Sequence, residues 1–271
     1  MLRSAHDMRG YTIQASDGEI GKVYSFLFDD EKWTIRYLVV KTGNWLRGRL
    51  VLISPISMGE PDWGAQTLPV RLTQEQIKNS PDIDAEQPVS RRQEIEYFRY
   101  YNYPVYWGGP GLWGAGMYPT YPGYPGQVIP PPDTPQTIAQ ERDRPQGEVA
   151  KDEQGDPHLR STHEVTGYHI HARDGSIGHV EDFVAEDGNW AIRYMVVDTR
   201  NWWPGKQVLV APRWIESVNW ADRSVDVNLD RETIKQGPEY DPSSMLNREY
   251  EAALYQHYGQ PPYWQEEPES R

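Results

Sequence analysis

A single displacement of 157 residues lays the second half of this chain on the first without a gap. Leu2-Arg3-Ser4 returns as Leu159-Arg160-Ser161, and Pro104-x-Tyr106-Trp107 returns as Pro261-x-Tyr263-Trp264. Residues 2–107 and 159–264 are identical at 42 of 106 positions, far above chance, so one unit is present twice. Each copy has the size of a small domain, and 271 residues leave room for both and a connector.

The connector, 108–158, holds 10 Pro and 9 Gly in 51 positions and shows no hydrophobic periodicity. Such a composition buries too little surface to offset chain entropy, which predicts a disordered linker with polyproline-like stretches. The domain plan is a first repeat over 1–107, the linker over 108–158, a second repeat over 159–264 and an acidic tail over 265–271. Residues 1–107 carry 13 basic and 14 acidic groups, whereas 159–271 carry 11 and 19. The copies therefore share a skeleton but not a surface.

The net charge of −13 argues against direct nucleic-acid binding, because an acidic chain repels phosphates. The absence of Cys excludes disulfides, thiolate chemistry, iron–sulfur clusters and Cys-ligated zinc. The opening Met1–Asp7 has no apolar h-region, and the apolar runs are as short as Tyr37-Leu38-Val39-Val40. The expectation is a cytoplasmic chain without a secretory signal and without direct membrane insertion.

Each copy opens on a hairpin signal, Asp17-Gly18 or Asp174-Gly175 between alternating apolar residues. Gly21 and Gly178 fall inside the next strand, which suggests a bulge or a bend. A central strand is predicted at Trp33–Val40 and at Trp190–Val197, because both of its faces are apolar. Further strands follow at Leu50–Ile53 and Val208–Val210, ended by Pro55 and Pro212, and a last one carries Val70 and Leu72, or Val227 and Leu229. Thr73 with Gln76 and Ser90 with Gln93 are capping-box pairs that open two helices. Five or six short strands with two appended helices describe an all-β unit closed into a small barrel.

No nucleophile elbow, P-loop, dinucleotide fingerprint or carboxylate pair of catalytic spacing is present, so the expectation is a non-enzymatic chain without a cofactor. His169, His171 and His179 are weak candidate metal ligands, since 169 and 171 share a strand face and 179 lies across the hairpin. The first copy has Thr12, Gln14 and Lys22 there, so the fold does not need them. Arg36 and Arg193 lie in the apolar central strand and need partners, for which Asp30 with Asp187 or Asp17 with Asp174 are the candidates. The recurring Tyr106-Trp107 and Tyr263-Trp264 either dock on their own barrels or form exposed protein-binding anchors. Trp45, and Trp202 with Trp203, each follow an Asn before a presumed turn and join the protein-binding candidates.

The order Gly10-Tyr11, Asp17-Gly18-x-Ile20-Gly21-x-Val23, Ile35-Arg36-Tyr37-x-Val39-Val40, Val51-Leu52-Ile53-Ser54-Pro55 and Ile77-Lys78-Asn79-Ser80-Pro81 resembles the PRC-barrel family. The family is named for the H subunit of the photosynthetic reaction centre. Gly167-Tyr168, Asp174-Gly175-x-Ile177-Gly178-x-Val180, Ile192-Arg193-Tyr194-x-Val196-Val197 and Ile234-Lys235-Gln236-Gly237-Pro238 repeat the resemblance, which spans 4–84 and 161–241. It implies two barrels of about six strands in a non-enzymatic adaptor of bacterial type, binding another protein or itself. Two alternatives come from the family. One is a ribosome or RNA-processing assembly factor acting through a basic protein. The other is an accessory to a membrane complex, reached through a protein partner because no lipid-binding helix is visible.

Overall fold

The computed structural model describes residues 1–81, 83, 89–120, 158–199 and 205–266. In the first half the strands are β1 (Leu2–Ser4), β2 (Thr12–Ala15), β3 (Gly18–Asp29), β4 (Thr34–Thr42), β5 (Leu50–Ile53) and β6 (Thr67–Pro69). In the second half they are β7 (Leu159–Ser161), β8 (His169–Ala172), β9 (Gly175–Glu186), β10 (Ile192–Asp198), β11 (Gln207–Val210), β12 (Ile215–Asn219) and β13 (Ser224–Val227). The bounds of β1, β2, β3 and β5 return at β7, β8, β9 and β11 after 157 residues, so the sequence repeat is a structural repeat.

The described chain forms two compact units. The N-terminal unit comprises Asp7–Thr162 with Asp187–Ala191, and the C-terminal unit comprises Met1–His6, His163–Glu186 and Ile192–Arg271. Each repeat's first strand thus belongs to the unit built on the other repeat.

In the N-terminal unit the sheet runs β5-β4-β3-β2-β6. Neighbours are antiparallel except β2 and β6, which are parallel. β4 lies along one edge of β3, and the other edge is shared: β2 takes residues 18–22 and β7 takes 27–29. β7 fills the stretch that β2 leaves unpaired. Gly21 is required where β3 crosses β4, since a Cβ there would run into the Lys41 carbonyl oxygen. β4 is central, as its two apolar faces predict, with Ile35, Tyr37, Leu38 and Val40 all fully buried.

The C-terminal unit repeats the plan with the order β11-β10-β9-β8-β13-β12. β8 pairs with the first part of β9, and β1 takes residues 184–186 on the same edge. Ser4 Oγ donates to Asp182 Oδ2 at 2.5 Å and the His6 amide donates to Asp182 Oδ1 at 3.0 Å, which pins β1 in place.

The expected closed barrels are corrected here. Each sheet is an open path, ending at β5 and β6 or at β11 and β12. The edges are dealt with in other ways. β6 is three residues long and contains Pro69, which has no amide proton to pair. At β5 the Tyr97 hydroxyl accepts from the Ser54 amide and donates to the Leu52 carbonyl at 3.0 Å. At β11 the segment after Pro238 pairs instead, Tyr240 donating its amide to the Gln207 carbonyl at 2.8 Å. Both predicted capping boxes are present, opening helices Gln74–Lys78 and Arg91–Tyr101. Among the described residues no helix is long and apolar enough to cross a membrane.

Two outcomes follow from the pairing of β1. Deleting residues 1–6 speeds amide exchange at 184–186 in the C-terminal unit and leaves β2–β5 protected, as hydrogen exchange read by mass spectrometry would reveal. Burial of Asp182, opposed by its bonds to Ser4 and the amides, raises its carboxyl above the usual range. The folded state then holds a proton that the unfolded state releases, so this group's contribution falls as pH rises from about 4 through the folded pKa. Urea midpoints against pH should flatten in Asp182→Asn relative to wild type over that window.

Candidate functional site

The helices end in a tail that folds back on its own repeat. Arg36 projects from β4 and is 1 % exposed, so its charge must be met inside the protein. Its Nε donates to Asp29 Oδ2 at 2.6 Å, with Nη2 at 2.5 Å from the same oxygen, and its Nη1 donates to the Leu112 carbonyl at 2.6 Å. The Tyr106 ring stands 3.9 Å from the guanidinium carbon and the Trp113 ring 4.7 Å from it. Arg193 repeats this with Glu186, its Nε donating at 2.8 Å, under the Tyr263 ring at 4.0 Å. The expected partners are therefore corrected: the counter-ions are Asp29 and Glu186. Asp17 and Asp174 instead accept the Gln74 and Arg231 amides at the starts of the short helices, both at 2.8 Å. Asp30 receives Arg160 Nε at 3.1 Å. Asp29 and Glu186 occupy one repeat position, but they differ in type and so escape an identity count.

A second buried carboxylate links strand, helix and tail. Glu94 Oε1 accepts from the Tyr37 hydroxyl at 3.0 Å and the Tyr106 hydroxyl at 2.8 Å. Its Oε2 accepts from Arg91 Nη1 at 2.8 Å and lies 2.7 Å from His158 Nε2. Glu251 does the same with Tyr194 at 2.8 Å, Tyr263 at 3.2 Å and Arg248 at 3.1 Å. Burial and the adjacent carboxylate push the Tyr37, Tyr106, Tyr194 and Tyr263 phenols above their ordinary range, so they remain hydrogen-bond donors at neutral pH.

The Tyr-Trp pair divides its labour. Tyr106 and Tyr263 are buried, which removes them from the exposed anchors: their hydroxyls are needed by Glu94 and Glu251, and their rings by Arg36 and Arg193. Trp107 and Trp264 are half-buried, stacked on Arg91 at 4.2 Å and Arg248 at 4.1 Å. Trp45 is half-buried, its indole donating to the Ile20 carbonyl at 2.7 Å. Trp202 and Trp203 lie outside the described residues, as do 121–157 of the expected linker and 267–271 of the tail.

Residues 108–120, read as the start of that linker, pack in the N-terminal unit instead. Lys32 Nζ donates to the Gly109 and Gly111 carbonyls at 2.9 and 2.6 Å, and the Trp113 indole donates to the Asn189 carbonyl at 2.7 Å. Glycine serves close backbone approach here: a Cβ on Gly109 or Gly111 would strike the Gly114 or Gly116 carbonyl.

The three histidines do not form one cluster. His169 is the register partner of His179, whereas His171 Nδ1 lies 3.4 Å from Asp226 Oδ1. Among the described residues the group of suitable ligands is His179, Glu181 and Asp198.

Removing Glu94 leaves two buried hydroxyls, Arg91 and His158 without their acceptor. Glu94→Ala should cost about 3–5 kcal/mol and Tyr37→Phe about 1 kcal/mol in urea unfolding.

No curated protein matches the chain. Residues 2–73 match the family model of the PRC-barrel domain, so the chain carries a PRC-barrel domain in its N-terminal repeat.

Proposed function

We propose that 159–264 is a second PRC-barrel copy and that the chain is a non-enzymatic, protein-binding adaptor of the bacterial cytoplasm. The second copy is supported by 42 identities in 106 aligned positions and by strands that recur at the same spacing. The adaptor reading rests on one observation: Trp107 and Trp264 are each incompletely buried and stacked on an arginine, in equivalent places of both repeats. An indole held rigid by a guanidinium loses little entropy on binding and desolvates a large surface, the properties of an interface anchor. The acidic second repeat, with 19 acidic against 11 basic groups over 159–271, favours a basic partner surface.

Affinity capture from the source cells with cross-linking, after nuclease treatment, tests the reading on the full chain. A defined protein partner should be recovered by wild type and reduced roughly tenfold or more by Trp107→Ala with Trp264→Ala. Unchanged recovery by that variant removes the indoles from the interface. Salt-sensitive recovery of ribosomal proteins replaces the adaptor reading with the assembly factor, and recovery of a membrane complex replaces it with the accessory role. Recovery of the bait alone overturns protein binding.

A further inference from the structure

We infer that His179, Glu181 and Asp198 form a binding site for a divalent metal ion of the zinc type, present in the second repeat and not in the first. The register sets Asp198 of β10 opposite His179, and Glu181 is the extra residue where β9 bulges against β10, between Val180 opposite Val197 and Asp182 opposite Val196. Their ligand atoms lie within 4.8 Å of one another, with His179 Nε2 3.5 Å from Glu181 Oε2. A tetrahedral zinc ion with bonds of about 2.0–2.2 Å holds its ligand atoms roughly 3.3–3.6 Å apart, so this pair already has the separation of a coordination edge. One imidazole and two carboxylates make the mixed nitrogen and oxygen donor set that such an ion accepts.

The backbone fixes the crossing. Gly178, next to His179, has no room for a Cβ, which would run into the Asp198 carbonyl oxygen, so β9 and β10 approach closely at this point. Asp198 is 1 % exposed, while His179 and Glu181 are half-buried and give an ion a way in. His169, the register partner of His179 on β8, stands on the same face as a candidate fourth ligand.

The first repeat supplies an internal control. The equivalent positions are Lys22, Tyr24 and Lys41, with Lys22 opposite Lys41 in the same register. The strand crossing is therefore built equally well with two cationic side chains, and folding alone does not call for three metal ligands there.

Zn2+ titrated into the metal-stripped full chain by calorimetry tests the site, with Co2+ absorption reporting coordination geometry. Wild type should bind one Zn2+ per chain saturably. His179→Ala with Glu181→Ala, which alters only half-buried side chains, should weaken binding about tenfold or more and abolish the Co2+ bands. His171→Ala, outside the cluster, should bind like wild type. Circular dichroism of the double variant checks that its fold is intact. Wild type without saturable binding, or a folded double variant that binds as tightly as wild type, overturns the site.

Discussion

A buried guanidinium is the constraint around which each repeat is arranged, most severely in the first, where Arg36 is 1 % exposed. Leaving Arg36 charged and unmatched in the interior would cost several kcal/mol, a large part of a small domain's margin of stability. Asp29 supplies the counter-charge, but one carboxylate oxygen does not cover a planar group with five N–H donors. The Leu112 carbonyl takes one more, and the Tyr106 and Trp113 rings sit within 3.9 and 4.7 Å of the guanidinium carbon. All three come from beyond helix Arg91–Tyr101. The tail is consequently part of the domain interior, and a chain ended at the helix would leave the ion pair uncovered. Arg193 is 8 % exposed and Glu186 has 28 % of its side chain in solvent, so the second repeat tolerates a looser cover.

Glu94 turns this local demand into a long-range one. Its four partners come from β4, the helix, the tail and the residue just before β7. Since none can leave without stranding a polar group in a dry site, these segments are held in mutual register. The aromatic packing follows: Tyr97 meets Tyr37 edge-on at 5.1 Å and Phe98 meets Trp107 at 5.3 Å, as the helix sits where Glu94 puts it. Glu251 imposes the same order on its own repeat, which is why the Tyr-Trp ending recurs after 157 residues.

Features written into local pattern were legible in the sequence. The hairpins signalled at Asp17-Gly18 and Asp174-Gly175, the doubly apolar β4, and the pairs Thr73–Gln76 and Ser90–Gln93 depend on neighbours a few residues away, and the structure has them, with each hairpin turning one residue earlier, at Ser16-Asp17 and Arg173-Asp174. Features set by distant pairing were not legible. Leu2-Arg3-Ser4 and Leu159-Arg160-Ser161 are the same tripeptide, so no pattern can tell which β-edge each one joins. Nor does composition separate a glycine that loosens a chain from one that admits a carbonyl, and 108–120 looked like linker for that reason. The site was half visible. His179 stood out, but Glu181 and Asp198 are ordinary strand residues until the β9–β10 register brings them beside it.

The two repeats separate what the fold needs from what it permits. Arg36, Tyr37, Glu94, Arg91, Tyr106 and Trp107 all recur as identical residues 157 positions on, because each is a partner of another and a change at one strands the rest. Charge has changed at other positions, such as Lys22 to His179 and Lys41 to Asp198, which face each other across the β3–β4 and β9–β10 pairs. Divergence of that kind, from a near-neutral first repeat to an acidic second one, gives each repeat its own chemistry on a shared frame. The shared interior therefore explains why the chain folds, and the unshared faces are where a difference in binding between the two repeats has to reside.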